Sequence, residues 1–173
     1  MKPDTVQHYE DLLSAGGSIY FDPVELDEIY HYYVETNEMS KVEEVLHLAQ
    51  QLHPDDFIVQ QMDAEYTLNC GDPEDALAKL DSIFSEDHPF QCILRSAALA
   101  KLGRNAEALE MAEKALYNEN PQDYVSYDLA LGFMNAAQYV TAMHYYQRSL
   151  QSHPEDAKSL SGLLYCKLQI HDM

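Results

Sequence analysis

The side chains able to do chemistry are plentiful in this chain, but they are scattered. It carries eight histidines, thirty aspartates and glutamates, three cysteines and thirteen tyrosines. The histidines form no H-E-x-x-H pair of the kind that places two zinc ligands and a base on one helical face. His144 stands beside Tyr145 and Tyr146, a packing environment. His53 and His153 each precede a proline, and both are expected to cap carbonyls at helix C-termini. Asp55-Asp56 and Glu86-Asp87 are the nearest thing to hard-cation ligands. Paired loop acids on an acidic surface are ordinarily solvated, so no metal is expected. Cys70, Cys92 and Cys166 lie far apart with no C-x-x-C, which argues against a zinc ribbon or a disulfide framework. There is no glycine-rich phosphate loop and no nucleophile elbow. No catalytic residue and no cofactor is expected, and the chain does not read as an enzyme.

Charge narrows the partners. Thirty acidic residues against ten basic ones give 173 residues a formal charge of −20. A nucleic-acid binder needs a basic face, and so does a protein held on an anionic membrane. Neither is expected. No stretch approaches the ~18 uninterrupted apolar residues of a membrane span. The first residues, MKPDTVQHYEDLL, have no apolar run of signal-peptide length, so a cytoplasmic location is expected.

The elements that position these groups show up as a repeat. Val42, Ala76, Ala108 and Ala142 are spaced 34, 32 and 34 residues apart. Gly71 and Gly103 each precede the small residue by five, and Pro54 and Pro154 bracket the array. A period of this length means stacked supersecondary repeats. Each repeat reads as two helices. In 123–156, Leu129, Ala130, Phe133 and Met134 form one apolar stripe. A polar break follows at Asn135 to Gln138, and Ala142, Tyr145, Tyr146, Ser149 and Leu150 form a second stripe. Repeats 23–56, 57–88 and 89–122 follow the same plan.

Helix starts agree with this division. Asp22-Pro23-Val24-Glu25 supplies an N-cap, a proline at the first helical position and an acid at the third. Ser40-Lys41-Val42-Glu43 reads as a capping box, and Asp72-Pro73-Glu74-Asp75 and Asn120-Pro121-Gln122-Asp123 open two further helices. Residues 1–22 hold a short amphipathic helix with Val6, Tyr9 and Leu13 on one side, a Gly16-Gly17 break, and an apolar anchor, Ser18 to Phe21. Residues 157–173 carry Leu160, Leu163, Leu164 and Leu168, the stripe of a first helix with no partner. That helix either caps the array, seats a second copy of the chain, or opens a longer array. The whole is expected to be one all-α domain.

This pattern resembles the tetratricopeptide repeat (TPR) family over about residues 23–170. The family's small residue at position eight falls on Ala64, Ser96 and Ala130, with Tyr30 departing. That at position twenty falls on Ala76, Ala108 and Ala142, with Val42 departing. The family's usual tryptophan is absent. The resemblance implies a right-handed superhelix of about four helix-turn-helix repeats with a concave groove lined by the first helices. It places Asp27, His31 and Glu35 in that groove from the first repeat, with Gln61, Glu65 and Asn69 from the second. The third contributes Ile93, Ala97 and Lys101, and the fourth Tyr124, Tyr127, Leu131 and Asn135.

Such a groove is acidic at one end and aromatic at the other, with Lys101 as its cation. Asp27 and His31 stand where some family members use a lysine and an asparagine to clamp the carboxylate of a chaperone tail. An anionic peptide end would be repelled here. The function implied is a non-enzymatic adaptor that holds a polypeptide with apolar anchors and basic residues, Tyr124 and Tyr127 being suited to a hot spot. The alternatives are a homo-oligomerisation module acting through the C-terminal helix, and the N-terminal part of a longer array.

Overall fold

The computed structural model describes residues 2–16, 20–83, 88–117 and 124–171. These residues form ten helices and no strand. Residues Met1–Tyr66 and Thr67–Met173 make two compact units, the division falling within the fourth helix.

The N-terminal unit contains α1 (Asp4–Ala15), α2 (Pro23–Glu35), α3 (Met39–Leu52) and most of α4 (Phe57–Asn69). Gly16 ends α1 at φ 65°, a conformation that costs glycine nothing. Val6 and Tyr9 of α1 are buried, but Leu13, expected on the same side, is exposed. Of the apolar anchor, Phe21 is buried against Tyr9 and Tyr20 stays in solvent. Asp22 caps α2 in a reciprocal box: its carboxylate accepts from the Glu25 amide, and the Glu25 carboxylate accepts from the Asp22 amide, each at 2.9 Å. Leu26, Ile29, Tyr30 and Tyr33 of α2 pack on Val42, Val45, Leu46 and Ala49 of α3.

The C-terminal unit continues with α5 (Pro73–Ser82), α6 (Pro89–Lys101), α7 (Asn105–Tyr117), α8 (Val125–Asn135), α9 (Tyr139–Ser152) and α10 (Ala157–His171). Asp72 caps α5 through the Asp75 amide at 3.0 Å. The small residues pack as their spacing implies: Ala76, Ala108 and Ala142 are fully buried, as are Ala64, Ser96 and Ala130. In the third repeat the two special positions touch, the Ser96 hydroxyl donating to the Ala108 carbonyl at 2.9 Å. Phe133 and Tyr145 stack 5.4 Å apart where α8 meets α9.

Four turns close these hairpins by one geometry. After α2, Glu38 N–H donates to the Tyr33 carbonyl and Asn37 N–H to that of Val34. The same pair of bonds follows α4 at Asp72 and Gly71, α6 at Arg104 and Gly103, and α8 at Gln138 and Ala137. These are Schellman closures, which require a left-handed residue. Asn37, Gly71, Gly103 and Ala137 all have positive φ. Their spacing repeats the 34, 32, 34 of the small residues.

Two expectations are corrected here. Ser40 does not cap α3: the helix begins at Met39, because the left-handed Asn37 already turns the chain and the Glu38 carbonyl accepts the first helical bonds. The histidines before proline do not cap helix-terminal carbonyls. His53 Nε2–H donates to the Phe21 carbonyl at 2.8 Å, tying the anchor to the end of α3. The His153 ring instead stacks on Tyr124 at 4.4 Å. The start expected at Asn120 to Asp123, the Glu86-Asp87 pair, and Gly17 to Ile19 lie outside the described residues.

Candidate functional site

In the N-terminal unit, α2 and α4 bring three of the expected groove residues together. Asp27 and His31 are one turn apart on α2, so their side chains share a face. His31 Nδ1–H donates to the Asp27 carbonyl at 3.1 Å and lies 3.4 Å from the Asp27 carboxylate. Its Nε2 lies 3.5 Å from the Glu65 carboxylate on α4. Burial pushes the Asp27 carboxyl above its ordinary range, with the neighbouring His31 pulling the other way. Glu65 is the most enclosed of the three, its side chain 14% exposed. Gln61, one turn earlier on α4, has a sealed amide oxygen with no partner among the described residues. Glu35 is exposed at the end of α2.

The sign of the charge here is unusual even for this chain. Residues 1–66 hold fifteen acidic side chains and two lysines. Both lysines are engaged elsewhere, Lys2 with Glu10 and Lys41 with Glu10 and Glu38. The Asp27–His31–Glu65 face therefore carries two carboxylates bridged by an imidazole, with the unit's ammonium groups directed to α1 and the start of α3.

The C-terminal unit treats its expected groove residues unevenly. Asn69 and Asn135 are exposed, and Leu131 is half-buried. Ile93 packs inside, among the residues around Leu99 and Phe133. Ala97 meets α8 where Gly132 allows the helices to cross: a Cβ on Gly132 would come within 2.9 Å of the Ala97 Cβ. Lys101 donates to the Leu68 carbonyl at 2.8 Å, and its partial burial lowers its pKa. It thus caps the end of α4, a task that left no trace in the local spacing. Tyr127 lies half-buried against Tyr146, whereas Tyr124 is 49% exposed on the His153 ring.

One feature escaped the sequence reading. Gly162 lies against Tyr146, whose ring carbon would be 2.3 Å from an added Cβ, so α10 approaches α9 closely. The signal was a glycine inside a helical stripe, which often marks close packing. The unpartnered stripe expected on the last helix is present: Leu160, Leu164 and Leu168 of α10 are each about half exposed, with Tyr165 beside them. Among the described residues no group of His, Cys, Asp and Glu side chains is placed to hold a metal ion. Nor is any described helix long and apolar enough to cross a membrane.

No protein-family model matches the chain, and no curated protein matches it by sequence. Its structure is similar to that of TTC0263, a thermophilic TPR protein of Thermus thermophilus. The TM-score is 0.66 at 17% identity, over 94% of this chain and 89% of that one. The fold is that of the tetratricopeptide repeat. A mutant of MamA is also similar, at 12% identity and a TM-score of 0.49, over 86% of this chain and 88% of that one. The TPR fold accounts for the recurring turns and buried alanines without any sequence-level match. Both follow from the crossing of two helices per repeat, which constrains a few small positions and leaves the others free.

Proposed function

We propose that this TPR-fold protein is a non-catalytic adaptor in the cytoplasm, and that the Asp27–His31–Glu65 face recognises a polypeptide segment combining basic residues with apolar anchors. The carrying observation is the convergence of two carboxylates on His31, on a unit whose lysines are engaged elsewhere. A lysine or arginine from a partner would meet Asp27 and Glu65 at once, in a partly desolvated setting where charge-assisted hydrogen bonds are strongest. Exposed Val24 and half-buried Ile58, on the same two helices, offer apolar contact. In the other unit, Tyr124 and Tyr127 supply aromatic area at little cost in side-chain entropy. A screen against immobilised peptides of varied charge and hydropathy tests this. Basic, apolar sequences are expected to be retained over their scrambled versions, and a screen in which none is retained sinks the reading. The leucines exposed on α10 favour a second contact surface.

A further inference from the structure

The repeat itself shows what normally covers the face that α10 leaves open. Counting from the first residue of each repeat, positions four, eight and eleven are Leu26, Tyr30 and Tyr33 in α2. They are Cys92, Ser96 and Leu99 in α6, and Ser126, Ala130 and Phe133 in α8. All nine are buried. In each case the next helix packs on that side: α3 on α2, α7 on α6, α9 on α8. The same positions in α10 are Leu160, Leu164 and Lys167, and all three are exposed. Leu168, one residue further, extends the ridge. The opposite side of α10 is seated normally, with Ser159 and Cys166 fully buried and the Ser159 hydroxyl bonded to Ser149 of α9 at 3.0 Å. The exposed leucines are therefore the helix-accepting face of a repeat, which no described helix covers.

Charge says what kind of helix fits. In a chain of net charge −20, α10 contains two lysines and no acidic residue. Lys167 stands where α8 has Phe133, the ring that stacks on Tyr145 of the covering helix. At that register a covering helix would face an ammonium group in place of an aromatic ring, and a carboxylate is its natural complement. Position eight, small in α6 and α8, is the bulky Leu164. The covering helices of the array carry alanine at their small position, or Val42 where α2 has the bulky Tyr30, so a small residue opposite Leu164 suits the site. A second copy of α10 meets neither demand, since it brings leucine against leucine, has no carboxylate for Lys167, and belongs to an equally acidic chain.

We propose that the Leu160–Leu164–Leu168 face of α10 is a docking site for an amphipathic α-helix of a partner protein, with an acidic residue opposite Lys167 and a small residue opposite Leu164. This surface is separate from the Asp27–His31–Glu65 face and does not depend on its reading.

The probe is a peptide of residues 139–152, the sequence of α9, made with Tyr145→Glu and, in parallel, with Tyr145→Lys. A lactam bridge between the side chains introduced by His144→Glu and Arg148→Lys, both positions exposed in α9, holds it helical. Titration into the full chain, followed by amide NMR shifts, is expected to give saturable binding of the Glu peptide with shifts centred on 157–171. The Glu peptide should bind roughly fivefold tighter than the Lys peptide, the scale of one exposed ion pair. Lys167→Glu should reverse that order, and Leu164→Glu should abolish binding of both. Both substitutions are at exposed positions, and circular dichroism checks that the variants fold. Equal affinity for the two peptides, shifts centred elsewhere, or no saturable binding would overturn the proposal. So would sedimentation of the free chain as a dimer that Leu164→Glu dissociates, which would give the face to a second copy.

Discussion

Gln91 sits at the third position of α6 and is 1% exposed, yet neither atom of its amide has a partner among the described residues. The equivalent residues Val59 and Val125 are buried valines, so the site takes an apolar side chain in the repeats on either side, while its counterpart in the first repeat, Glu25, is exposed. A buried amide left unsatisfied costs about 1–3 kcal/mol, while an apolar side chain of similar size costs nothing of that kind. Gln91→Met is expected to raise the unfolding free energy by about 1 kcal/mol, read as a higher urea midpoint at unchanged slope. A lower midpoint would mean that the amide has a role in the native state. Glu10 is the opposite case. The Lys2 ammonium, and after it the Tyr33 hydroxyl and Lys41, hold its carboxyl down at about 2 against an ordinary 4.5. A depressed carboxyl contributes stability above its unfolded value and loses it as pH falls toward the folded one. The difference in thermal midpoint between wild type and Glu10→Gln should be constant near neutrality and shrink between about pH 4.5 and about pH 2. A difference independent of pH over that window would show that these bonds do not discriminate the charged form. Neither residue's setting was legible in the sequence, because burial against other helices, and partners supplied by them, leave no trace in local spacing.

Helices were legible because their evidence is local. The stripes of α2, α8 and α9, the capping box at Asp22 and the cap at Asp72 are each written within a few adjacent residues. The left-handed conformation of the turns was legible only where glycine marked it, although the polar break Asn135 to Gln138 placed one more turn. Gly71 and Gly103 announced two of the four closures, whereas Asn37 and Ala137 took the same left-handed conformation under less telling names. Missing Asn37 is what misplaced the start of α3 at Ser40. Ala137 carries a steric penalty there that glycine would not, since its Cβ crowds the following carbonyl. Ala137→Gly is therefore expected to stabilise the chain by about 0.5–1 kcal/mol, despite the greater freedom glycine brings to the unfolded state. Differential scanning calorimetry would show it as a raised midpoint, and a lowered one would contradict the shared closure. The groove residues were the least legible element feature. Lys101, Ile93 and Ala97 sit at positions the family pattern assigns to a ligand, yet they are occupied with a helix end, the interior and a helix crossing.

Across the whole molecule, composition spoke to surface and partner, while periodicity spoke to fold. The 34, 32, 34 spacing indicated a TPR-like arrangement, and similarity to a solved TPR protein over 94% of the chain shows that fold. The charge of −20 had no bearing on that, but it bears on stability and binding. So large a net charge repels itself in the compact state. Raising salt from about 20 to about 200 mM shortens the screening length from roughly 20 to below 10 Å. The thermal midpoint should rise by about 2–4 °C, and a fall would mean that ion pairs such as those of Glu10 with Lys2 and Lys41 and of Arg95 with Asp81 outweigh the repulsion. Charge is also unevenly spread, with fifteen acids and two lysines in residues 1–66 and an acid-free final helix. The central claim is that the acidic N-terminal unit binds a basic, apolar segment through Asp27 and Glu65. The direct test is calorimetric titration of one such peptide into wild type and into the isosteric double variant Asp27→Asn with Glu65→Gln. The account predicts at least about tenfold weaker binding by the variant, the scale of losing charge-assisted hydrogen bonds, with most of the salt dependence lost as well. Equal affinity and equal salt dependence in the two proteins would contradict it.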